Sequence, residues 1–161
     1  PSDPIGDLAA RVASQTNALE VMEARLCIEP ELAALCAERM ERHEVEALRK
    51  QAEQQLIAKD AQAIELWDAA IHRHIAKCAR NRPLLAAFSM LEKIRFDPDW
   101  VSIRAKARTP SSIEITHVEH VAIINQIEDG HVEGARSAMK NHLKTRFDAL
   151  LADVDVRPEG K

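Results

Sequence analysis

The sequence predicts an all-α fold, an antiparallel bundle of six to seven helices. Composition is the first reason: among 161 residues there are only four glycines and no tyrosine, and alanine, leucine and glutamate abound, a mixture that favours helix over sheet. The second is periodicity, because apolar residues recur every three or four positions along nearly the whole chain. The third is the spacing of helix stops and starts, with short polar breaks and no alternating strand pattern or internal repeat between them.

Residues Pro4 to about Thr16 form a weak first segment. Asn17 is suited to cap a long helix reaching about Met40, with Leu19, Met22, Leu26, Leu32, Leu35 and Cys36 as its apolar positions. Pro30 lies inside that run and removes a backbone donor, so a kink or break is expected near Cys27 to Glu29. His43 to Ala58 follows, with Val45, Leu48, Ala52 and Leu56 on one stripe. Asp60 can cap the next helix, which runs to about Arg80, where Asn81-Arg82-Pro83 ends it and opens another reaching Ile94. Phe96 to Pro110 is the least regular region; Asp97-Pro98 is a turn signal, and Trp100 to Arg108 can form a short helix. Ser111 or Ser112 can cap a helix that runs to Ile127 and stops at Asp129-Gly130. The last helix covers about Val132 to Ala152, and residues 153–161 read as a flexible tail.

Bulk properties narrow the function. Apolar residues make up 46% and charged residues 30% of the chain, as in soluble globular domains, and the length fits one domain with its own core. No apolar run approaches the roughly 20 residues needed to cross a bilayer, so no membrane partner is expected. The net charge of −4 argues against nucleic-acid binding by this chain itself, since a phosphate-binding surface needs a basic excess. Cys27, Cys36 and Cys78 are an odd count without C-x-x-C spacing and read as reduced, buried thiols of a cytoplasmic protein.

Candidate chemistry comes from histidines on inner faces. Asp68 and His72 lie four residues apart, so they stack one turn apart on one helical face. Asp68 falls within the stripe of Ile64, Ile71 and Ile75, and His72 at its edge; His74 points away. An ionised aspartate in an apolar stripe is costly unless it is paired or metal-bound. His120 shares the stripe of Ile123, Ile124 and Ile127, and His142 that of Ala135 and Met139. One such histidine is more often a hydrogen-bonded core residue than a ligand. Three, with an aspartate, make a buried metal site an equal reading, and the pattern leaves both open. His117 could join or replace His120, whereas His43 and His131 read as solvated. Glu114-x-x-His117 and Glu128-x-x-His131 match the E-x-x-H element of di-metal bundles, but the second match spans the helix stop at Asp129-Gly130.

Several segments in order resemble one family. These are Glu23-Ala24-Arg25-Leu26-Cys27-Ile28-Glu29-Pro30-Glu31-Leu32-Ala33, then Asp68-x-x-x-His72-x-x-Ile75-Ala76 followed by Asn81-x-Pro83-Leu84-Leu85. His120-x-x-Ile123-Ile124-x-x-Ile127-x-x-Gly130 and Ala135-x-x-x-Met139-x-x-His142-Leu143 complete the series. Together they resemble the effector-binding FCD domain of FadR-type GntR transcription regulators, over residues 17–152. The resemblance implies a helical bundle around a small effector and a divalent metal held by Asp68, His72, His120 and His142. The position before His72 is Ile71, where the family usually has phenylalanine; the swap keeps an apolar wall. One carboxylate and three imidazoles suit zinc or nickel better than magnesium or calcium. By motif position Arg25, and less directly Arg95, would bind a small carboxylate-bearing effector. The resemblance further implies a homodimer, and operator DNA bound only through an N-terminal winged helix-turn-helix domain missing here, with residues 1–16 as the remnant of a linker. No enzymatic activity is expected. The alternative is a metal-dependent enzyme using the same four ligands, with Glu114 or His117 as its acid or base.

Overall fold

The computed structural model describes residues 2–106 and 108–155. These form eight helices: α1 (Pro4–Gln15), α2 (Ala18–Arg39), α3 (Arg42–Ile57), α4 (Ala61–Cys78), α5 (Arg82–Arg95), α6 (Pro98–Lys106), α7 (Pro110–Glu128) and α8 (Val132–Asp155). The count exceeds the expected six to seven because both weak segments, α1 and α6, are helical. The tail was expected to begin at residue 153, but α8 continues to Asp155; residues 156–161 lie outside the described residues.

The helix boundaries have local causes. Asn17 Oδ1 accepts from Glu20 N at 2.9 Å and Asp60 Oδ1 from Ala63 N at 2.8 Å, each satisfying a backbone donor that the first turn leaves free. Asn81 caps α5 in the same way, with proline in its first turn. The cap of α7 is Thr109 rather than Ser111 or Ser112, and Ser112 instead returns its hydroxyl to the Thr109 N–H in a capping box. At the other end of α7, Gly130 takes φ +71°, and the bonds Gly130 N→Ile127 O and His131 N→Gln126 O close a Schellman turn. Glu128 and His131 therefore share no helical face.

The expected break at Pro30 does not occur. α2 is continuous across it, and Pro30 is buried. This helix packs against α4, α5, α7 and α8, so the packing of a central helix outweighs one lost backbone bond. The main core joins Leu32, Leu48, Ile71, Ile75, Ile124 and Leu143 from α2, α3, α4, α7 and α8. Two stripe assignments shift at the edges. Leu19 and Leu56 are exposed, while Gln55 is buried in place of Leu56, with its amide toward α4. Cys36 and Cys78 are buried thiols, and burial raises both, Cys78 to about 11. Cys27, expected to be buried, is exposed. No helix among the described residues is long and apolar enough to cross a membrane.

Candidate metal centre

α4, α7 and α8 bring Asp68, His72, His120 and His142 to one point inside the bundle. All four are buried, and one ligand atom from each lies within 4.8 Å of the others. Asp68 Oδ1 is 3.4 Å from His120 Nε2 and 3.9 Å from His72 Nε2, and His72 Nε2 is 3.3 Å from His142 Nε2. Ligands about 2.1 Å from a shared ion stand roughly 3–4 Å apart, so the spacing suits a single transition metal.

The outward side of each ring explains the inward one. His72 Nδ1 donates to Glu29 Oε1 at 2.5 Å, and His142 Nδ1 to Glu119 Oε1 at 3.3 Å. With those protons committed to carboxylates, both Nε2 atoms present lone pairs to each other. In these tautomers two facing lone pairs at 3.3 Å repel, and a shared cation would relieve that repulsion. The contact of His120 Nε2 with Asp68 is too poorly aligned for a hydrogen bond, and its Nδ1 has no partner among the described residues. This donor set fits a divalent transition ion.

Electrostatics keep the ligands in the forms a metal needs. Burial would raise the Asp68 carboxyl, but the Arg95 guanidinium, aided by Arg108, holds it well below the usual range. Glu29 is likewise pushed up by burial and held low by Arg25. Burial pushes His142 down to about 3 and lowers His120 against the pull of Asp68, which favours neutral imidazoles.

The other expected residues fall as follows. Arg25 is buried and pairs with Glu29 at 2.5 Å, so it steadies the carboxylate that orients His72. Arg95 pairs with Asp68 Oδ2, turning Oδ1 toward the histidines, and reaches Glu65 at 3.4 Å. His117 is half-buried, its Nδ1 has no partner among the described residues, and it is not among the four; Glu114, His43 and His131 are exposed. His74 binds Glu44 O at 3.0 Å.

Arg25, Arg95, Asp68 and His142 also line a cavity of about 120 Å³, together with Arg104, Arg108 and Arg146. Those three arginines were not anticipated. Arg104 and Arg108 come from the irregular stretch, where no periodicity assigned a face, although their i, i+4 spacing was visible. Arg146 stands one turn beyond His142 on α8, so its face could have been read from that histidine. The part that Glu29 and Glu119 play behind His72 and His142 was also not anticipated, although Glu29 lies one turn after Arg25 and Glu119 precedes His120.

Comparisons with known proteins identify the family and the fold. A sequence profile of the FCD domain matches residues 20–145. No curated protein sequence matches the chain. Among solved structures, E. coli McbR/YncC is similar in fold, with a TM-score of 0.72 at 15% identity, covering 84% of this chain. This chain spans 64% of that one. At such identity the likeness speaks to the fold alone, but the profile covers most of the chain, through all four buried ligand positions: the chain belongs to the FCD domain family.

Proposed function

We propose that this domain senses a small organic acid for a GntR/FadR-type transcription regulator, through a divalent metal held by Asp68, His72, His120 and His142. The observation that carries the reading is the arrangement of two opposed imidazole Nε2 atoms beside an aspartate at the floor of an arginine-lined cavity. A bound metal would supply open positions for a carboxylate or hydroxyl oxygen of the effector. Arg25 and Arg95, already at the cavity wall, would complement the effector's charge.

Binding can act on a distant partner only through different affinities for two packings of the bundle. α8 supplies both His142 and Arg146 and packs along α2, which supplies Arg25. A ligand bridging these helices would favour one of their arrangements. In the proposed regulator, a homodimer of this domain would transmit that shift to N-terminal DNA-binding domains in a cytoplasmic protein.

The sensor reading is favoured over a metal enzyme because the carboxylates nearest the ligands, Glu29 and Glu119, are already bound to His72 and His142. Glu114, one candidate base, is exposed. The test is a thermal-shift titration with citrate, with and without zinc or nickel. A rise in Tm with metal, and a further rise with citrate only when metal is present, is expected. Metal-independent stabilisation, or turnover of a substrate abolished by chelation, would contradict the sensor.

A further inference from the structure

The cavity beside the four ligands holds more positive charge than its own carboxylates can answer. Five arginines line it: Arg25, Arg95, Arg104, Arg108 and Arg146. The acids in contact with them are Glu29, Glu65, Asp68 and Glu119. Among the described residues, five against four leaves one positive charge, and a divalent ion among neutral imidazoles would raise the surplus to three.

Hydrogen bonding shows the same excess. Glu65 alone serves three guanidinium groups: Arg108 Nε at 2.8 Å, Arg104 Nε at 2.9 Å and Arg95 Nη2 at 3.4 Å. Three guanidiniums carry about fifteen N–H donors against roughly four acceptor sites on a carboxylate. Arg95 Nε, Arg104 Nη2, Arg108 Nη1 and Arg146 Nε are accordingly buried without a partner among the described residues. Unanswered buried donors of this kind are costly. The arginines also oppose one another: burial lowers Arg104 and Arg146, and Arg95 and Arg108 respectively lower them further. Ser112 adds the N-terminal turn of α7 to the same wall, where the helix dipole is positive.

We propose that the site takes a compact acid bearing two or more anionic groups, one directed at the Asp68–histidine floor and another at the Arg104, Arg108 and Arg146 wall. This deepens the sensor reading and rests on it. A space of about 120 Å³ exceeds that of a few waters, and the unpartnered guanidinium donors favour a molecule with more than one anionic group. A dicarboxylate and a phosphorylated acid share this chemistry.

The test is calorimetric titration of the zinc-loaded chain with malate, 3-phosphoglycerate and, as a monoanion of similar size, 3-hydroxybutyrate. Malate or 3-phosphoglycerate should bind roughly 10- to 100-fold tighter than 3-hydroxybutyrate, and the stronger of the two identifies the second group as carboxylate or phosphate. Arg104→Gln and Arg146→Gln should each lower the ratio of dianion to monoanion affinity about tenfold, with bound zinc reporting that the variants are folded. Arg104→Lys, which keeps the charge, should retain most of the ratio. Equal affinities, binding of none of the three, or a preference that survives both glutamine variants overturns the inference. Failure to bind zinc would instead overturn the metal reading, and the dianion preference and its dependence on Arg104 and Arg146, measured without metal, would still decide this inference.

Discussion

His72 and His142 face each other through Nε2 because each gives its Nδ1 proton to an outer carboxylate, Glu29 or Glu119. Glu29 is the more buried of the two and is itself gripped by Arg25. Glu29→Gln should therefore weaken zinc binding by roughly 10- to 100-fold while leaving the four ligands in place; competition with a chromophoric chelator reads this, and unchanged affinity would remove Glu29 from the site. A pH effect follows from the same burial. In the metal-free protein, His142 is held at about 3, whereas an unfolded histidine titrates near 6.5. Between those values the unfolded chain binds a proton that the folded chain refuses, so stability falls as pH falls, by at most about 1.4 kcal/mol per pH unit for each such group. Asp68 and Glu29 have depressed carboxyls, and their stabilisation is lost as pH drops below the unfolded values near 4. Urea denaturation of the metal-free protein should show a falling midpoint from pH 7 to pH 5; a flat or rising midpoint would contradict the assignment of buried, neutral imidazoles.

At the level of helices, Asp60 fixes the start of the helix that carries both Asp68 and His72. Removing its cap bond in Asp60→Ala should cost about 1 kcal/mol, measurable as a lower denaturation midpoint with no change in metal stoichiometry. That helix was legible in the sequence, as were α7 and α8, because each is long and regular enough for 3.6-residue periodicity to set its inner face. The inward placement of Asp68, His72, His120 and His142 was thus legible in the sequence, and the structure brings them together. Residues outside regular periodicity were harder to place. Arg104 and Arg108 lie around the irregular stretch, and nothing in their spacing says that both turn toward Glu65. Glu29 sits four residues after Arg25, a spacing equally compatible with a surface pair; only the packing of α2 against α4 makes it an inner one. The unbroken course of α2 through Pro30 has the same origin, since a local rule was overridden by burial that a one-dimensional pattern does not contain.

For the molecule as a whole, the polar site does not replace the core but adjoins it. Ile71, Ile75, Ile123 and Leu143 flank the ligands in sequence and belong to the main apolar cluster, so the four ligands are presented by elements already held rigid by packing. This is why a sizeable buried polar network can persist in a chain of 161 residues: the apolar core stabilises the fold, and the network is left free to bind. The central claim is that Asp68, His72, His120 and His142 form one metal site. Elemental analysis of the purified chain and of His142→Ala tests it most directly. The prediction is one transition-metal ion per wild-type chain and almost none in the variant; a wild-type chain that takes up no metal, or a His142→Ala variant that retains it fully, would contradict the claim.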